Sequence, residues 1–187
     1  VALTFGMYSG QWLAVVGFLP SIYAAAGVSG ALLGVLTALA AAVNIAGNMA
    51  SGRLLQSGWA PRSTLWLGFG AMALGSTLAF AAFTEGQPWL RYAGVLVFSG
   101  LGGLVPGTLF SLAVRLAPGE QQVATTVGWV QQLSALGQFA GPPAVATVAA
   151  QAGGWHFTPW VTVTCCVLGA AFAGLASRLA AQAQSRP

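Results

Sequence analysis

"VGWVQQLSALGQFAGPP", residues Val127 to Pro143, holds three glutamines and no charged side chain. A soluble core rarely accepts Gln131, Gln132 and Gln138 so close together, and a soluble surface would mix them with lysine and glutamate. The solvent around this stretch is therefore something other than water. The whole chain reads the same way. Charged residues make up 4% of it and apolar ones 57%, against about 25% charged in a soluble globular domain.

The few charges count the membrane crossings. Uncharged intervals of 52 residues before Arg53, 22 between Arg62 and Glu85, 23 between Arg91 and Arg115, and 57 between Glu120 and Arg178 separate them. One crossing takes about 20 apolar residues, because a helix rises about 1.5 Å per residue through about 30 Å of hydrocarbon. The intervals hold two, one, one and two helices. Small, glycine-rich turns divide the long ones, "AAAGVSGA" (Ala24 to Ala31) and "AAQAGGWHF" (Ala149 to Phe157). The expected fold is an all-α membrane protein. Its six transmembrane helices, over residues 1–25, 30–55, 63–83, 89–113, 125–150 and 159–179, form a single domain across 1–187.

Arginine sets the orientation. With six alternating helices, Arg53, Arg62, Arg115, Arg178 and Arg186 share one side and Arg91 takes the other. The positive-inside bias makes the five-arginine side cytoplasmic and sends both chain ends there, in a cytoplasmic (inner) membrane. Trp89, Trp155 and Trp160 gather at the outer boundary, and Trp59 and Trp66 at the inner one. The net charge of +4 is accounted for by topology and calls for no nucleic-acid partner. Cys165 and Cys166 are neighbours on one helix with diverging side chains, which disfavours a disulfide and reads as inert buried thiols. The first apolar stretch has no basic leader and no initiating Met. The chain starts abruptly inside a helix, which suggests a piece of something longer.

Polar groups concentrate on the first, second and fifth helices, and helical geometry sorts them into stripes. Thr37, Ala41, Asn44 and Asn48 share a face of the second helix; Gln131, Ala135, Gln138 and Pro142 share a face of the fifth; Thr4, Tyr8, Gln11 and Trp12 form a broader face of the first. Amides turned to lipid would go unsatisfied, so these faces should meet the bundle interior or a water-filled cavity. The bland alternative is that they tie helices together, for about 0.6 to 2 kcal/mol each. Glycines spaced by four, Gly6 and Gly10, Gly30 and Gly34, Gly103 and Gly107, Gly137 and Gly141, read as close-packing sites. Pro20 and Pro106 sit at corresponding places late in the first and fourth helices. Two groups of three helices must run in opposite directions, so the chain reads as a 3+3 inverted repeat.

"GQWLAVVGFLPSIY", "SGRLLQSGWAPR", "FSGLGGLVPGTLF" and "LGQFAGPP" together resemble the C-terminal six-helix half of a 12-helix major facilitator superfamily transporter. Within that family the chain is most similar to the cyanate and nitroimidazole permease branch. The family's cytoplasmic loop motif is degenerate here: Gly52 and Arg62 fit its ends, but Gln56 and Ser57 stand where an Asp and a basic residue belong. The resemblance implies alternating access around a midplane site, with the N-terminal six-helix half missing. It places Tyr8, Gln11, Trp12, Ser99 and Pro106 inward, Asn44, Asn48, Gln131 and Gln138 flanking, and the third and sixth helices outermost against lipid.

Across the predicted midplane no charged residue occurs. A cavity of amides and aromatic rings suits a small polar or weakly anionic solute, and any proton-coupling group would lie in the other half. Two other classes fit parts of the sequence. "GVSG" (Gly27 to Gly30) with His156 fits an intramembrane serine protease using Ser29 and His156, whereas Ser29 as a helix N-cap and His156 as an interfacial residue need no catalysis. A packing subunit that transports nothing would keep its polar stripes dry. Walker loops, metal-ligand clusters and dinucleotide fingerprints are lacking, so neither metal nor cofactor is expected, and the chain reads as a non-enzyme. The expected partners are the lipid bilayer, a small-molecule substrate and the missing half.

Overall fold

The computed structural model describes residues 1–184. Its helices are α1 (Ala2–Ala25), α2 (Gly30–Gln56), α3 (Pro61–Phe80), α4 (Pro88–Gly102), α5 (Leu104–Arg115), α6 (Val123–Ala152) and α7 (Thr158–Gln184). Helices α4 and α5 form one crossing, so the seven helices make six spans. Single 3-10 turns at Ala82–Thr84, Glu120–Gln122 and Trp155–Phe157 join them. Five spans are apolar and long enough to cross a membrane. The sixth, α6, is 30 residues long and fails only on hydropathy, which its glutamines lower.

The fourth span differs from the expected continuous helix. Gly103 sits in a tightened turn, its N–H shared between the Ser99 and Gly100 carbonyls at 3.0 and 3.2 Å. Three residues on, Pro106 has no N–H to give. Pro20 lies at the matching place in α1, which stays unbroken.

The six spans alternate in direction, and the residues at their ends show it. Val1, Arg62, Leu116 and Ser177 meet at one end of the bundle; Tyr23, Phe80, Arg91 and Trp155 meet at the other. Arg53, Arg62, Arg115 and Arg178 therefore share an end, and Arg91 stands at the opposite one. Arg186 lies outside the described residues.

Packing follows the two-fold logic of an inverted repeat. Helix α1 lies along α6, and the α4–α5 crossing lies along α2; α3 packs on α4 as α7 packs on α1; α3 and α7 pack on each other. Exchanging the two triplets maps this pattern onto itself. Glycine makes the long contacts possible. A Cβ at Gly10 would sit 2.6 Å from the Gly137 carbonyl oxygen, and one at Gly137 would collide with the Gly6 carbonyl. In the equivalent seam a Cβ at Gly47 would collide with the Gly100 carbonyl, and one at Gly103 with that of Asn44. Small residues thus let backbones touch, which in a bilayer replaces the missing hydrophobic drive. Gly30 and Gly34 have open space around them, so that pair is not a packing site.

Within this unit the third helix packs closely and adds no residue to the midplane cavity lined by α1, α2, α5 and α6. It is largely buried against α4, α5 and α7, with Leu65, Phe69 and Met72 in the core, while α2 and α6 are mostly exposed. The reason is size. Gly68, Gly75, Ala71 and Ala79 admit neighbours, and a Cβ at Gly75 would stand 2.5 Å from the Phe98 nitrogen.

Candidate functional site

Near the middle of the bundle, an open cavity of about 240 Å³ lies between α1, α2, α5 and α6. Tyr8 and Trp12 come from α1, Asn44 and Asn48 from α2, Pro106 from α5, and Gln131 and Gln138 from α6. Seven residues singled out from sequence are thus brought together. The amides arrive on α2 and α6, helices that are equivalent in the repeat, each offering polar side chains on adjacent turns of one face. Aromatic rings arrive on α1 and α5, the other equivalent pair.

Asn44 organises the floor. Its Nδ2 donates to the Ser99 carbonyl at 2.7 Å and to the Tyr8 hydroxyl at 3.0 Å. Trp12 Nε1 donates to Ser99 Oγ at 3.1 Å. Ser99 is fully buried and sits behind the cavity, where it binds α1 and α2 to the last turn before the break at Gly103. The Ser99 carbonyl accepts from Asn44 as well as from the Gly103 N–H. Gln138 Nε2 donates to Ser134 Oγ at 3.2 Å. Gln131 makes no hydrogen bond to the described residues, and it and Asn48 are exposed, so their polar atoms remain free for a solute or water. The lining carries no charged side chain among the described residues.

Gln11 is a correction. It is 1% exposed and turned away from the cavity toward α7, where Cys166 Sγ donates to its Oε1 at 3.3 Å and its Nε2 finds no partner. Positions 11 and 12 diverge by about 100° on a helix, so the broad face read from sequence is divided between cavity and core. Four lining residues were missed: Phe5, Ser9, Phe110 and Ser134. The signals existed. Phe5 and Trp12 are two turns apart on one face, Phe110 is one turn past Pro106, and Ser134 falls between the two glutamines. Ser9 Oγ donates to the Ser134 carbonyl at 2.9 Å across the α1–α6 seam.

At the arginine-rich end, Gly52 has open space around it and the Arg62 guanidinium lies 4.0 Å above the Trp66 ring. Neither joins an ion pair; among the described residues the sole pair is Arg91 with Glu85. Ser29 occupies the N-cap position of α2 without a side-chain cap bond, and no hydrogen bond joins it to His156. Nothing in this geometry supports the Ser29 and His156 nucleophile pair.

The profile of the Major Facilitator Superfamily matches residues 1–186. The chain belongs to that family and so to the multi-pass secondary transporters of lipid membranes, a class that points away from enzymes. No curated protein and no solved structure gives a significant match.

Proposed function

We propose that this six-helix unit forms one half of a transporter that moves a small polar or weakly anionic solute by alternating access, a second six-helix bundle closing over the cavity. The observation that carries the reading is the cavity itself: amides from two equivalent helices and aromatic rings from the other two face one open space in a bilayer-embedded fold. An amide facing a wet cavity avoids the several kcal/mol or so lost by an unsatisfied group in hydrocarbon. Ile45 and Met49, next in sequence to Asn44 and Asn48 on α2, and Phe139, next to Gln138 on α6, are exposed, apolar surface that a second bundle would cover. The cavity of about 240 Å³ is one wall of the site, which the second bundle would complete; the compact solutes of the cyanate and nitroimidazole permeases that the sequence resembles set the solute class proposed.

Neutral donors hold such a solute without fixed charge, so a proton-coupling carboxylate would belong to the other half. The arginine-rich end would face the cytoplasm of the inner membrane. Solute counterflow in proteoliposomes holding this unit together with its second six-helix bundle tests the reading. Uptake of small neutral or monoanionic solutes, lost in Gln131→Leu, is expected; equal flux in the variant and the parent across the panel would contradict it.

A further inference from the structure

A second, larger cavity of about 590 Å³ opens at the arginine-poor end, under the α1–α2, α3–α4 and α6–α7 connections. It is separate from the midplane site and shares no lining residue with it. Its walls are mostly apolar, with Leu19, Ile22, Val95 and Trp155 among them, and its polar groups are few: Arg91, Glu85, His156 and Tyr23. Arg91 is held rather than free to swing. Its Nε donates to Thr84 Oγ1 and its Nη2 to the Ala81 carbonyl, both at 3.1 Å, while Glu85 stands off at 4.0 Å. Its Nη1 makes no hydrogen bond to the described residues. The Tyr23 hydroxyl is buried and bonds to no group among the described residues, which leaves its proton available to a bound acceptor. A fixed guanidinium with a spare donor, an unsatisfied hydroxyl in the same lining and an apolar wall are the parts of a site for an anion carried on an apolar body.

We infer that this vestibule binds an amphipathic monoanion, its carboxylate or phosphate on Arg91 and Tyr23 and its apolar part against Trp155 and Ile22. That chemistry is shared by free organic acids and anionic lipids. The inference stands on binding alone and does not require the transport cycle proposed above.

Radiolabelled benzoate binding to the intact chain in phosphatidylcholine nanodiscs, with benzamide as the uncharged control, tests it. Benzoate should bind about tenfold more tightly than benzamide, and Arg91→Gln should abolish that preference. Because Arg91 also holds the α3–α4 connection, a second variant guards against misfolding: Glu85→Gln removes the competing carboxylate and should tighten benzoate binding about threefold, a gain no unfolding can mimic. Equal affinity in phosphatidylcholine and phosphatidylglycerol discs assigns the site to a free acid; an Arg91-dependent loss in phosphatidylglycerol assigns it to a lipid headgroup. Equal binding of benzoate and benzamide, unchanged affinity in both variants, or abolition of benzoate binding by Gln131→Leu would overturn the inference.

Discussion

Asn44 and Gln131 are both amides on cavity-lining helices, yet they stand in opposite relations to the protein. Asn44 has both amide hydrogens engaged, on Tyr8 and on the Ser99 carbonyl, whereas Gln131 has no partner among the described residues. Asn44→Leu should therefore cost about 1–2 kcal/mol of stability, read as a lower melting temperature in detergent, together with lost uptake. Gln131→Leu should lose uptake with the melting temperature unchanged. If both variants melted alike, the division between a structural and a solute-facing amide would be wrong. These stripes were legible because an uncharged amide in a hydrocarbon setting must turn inward. Gln11 was not, since polarity alone does not say whether an inward amide meets a cavity or, as here, a buried thiol on α7. Ser99 was legible as an inward residue, but its role in linking Trp12 and Asn44 behind the cavity depends on three helices meeting.

At the scale of elements, the spans could be read because the charges are so few that the intervals between them bound the helix count, and one glycine-rich turn in each long interval fixes it at two. The break at Gly103 could not, because Pro20 in α1 carries the same signal and leaves its helix whole. What differs is the packing: Gly17 precedes Pro20 by three residues as Gly103 precedes Pro106, but Gly17 has open space around it, whereas Gly103 is drawn against the backbone of Asn44. The close packing of the third helix was hidden for a related reason. Its apolar composition suits lipid and core alike, and only its small residues, Gly68 and Gly75 above all, distinguish a close-packed helix from a lipid-facing one. Gly137→Ala places a methyl group against the Gly6 carbonyl and should cost about 1–3 kcal/mol by overpacking the α1–α6 seam. Gly34→Ala meets nothing and should be neutral or gain up to about 1 kcal/mol from helix propensity. Thermal denaturation of the two variants side by side checks the pair; a destabilised Gly34→Ala with an unaffected Gly137→Ala would reverse the assignment of packing glycines.

For the whole molecule, the repeat explains why one cavity has two kinds of wall. Equivalent helices bring equivalent chemistry, amides from α2 and α6, aromatic rings from α1 and α5, and the glycine seams hold α1 against α6 and α2 against the α4–α5 crossing closely enough for the stripes to converge. The ends of the bundle differ sharply in charge, with Arg53, Arg62, Arg115 and Arg178 at one and the Arg91–Glu85 pair at the other. Cysteine introduced at Gln87, in the α3–α4 connection, should react with an impermeant thiol reagent on intact cells, and cysteine at Ser57 should not. The reverse pattern would invert the proposed orientation.

The central claim, that the amide stripes line a wet passage reached alternately from the two sides, is tested most directly at position 131. In a chain with Cys165 and Cys166 replaced by Ala, Gln131→Cys should react with an impermeant thiol reagent applied from either face of sealed vesicles, and a transported solute should slow the reaction. A cysteine there that stays unreactive from both faces, with and without solute, would show the stripes to be dry helix contacts and contradict the account.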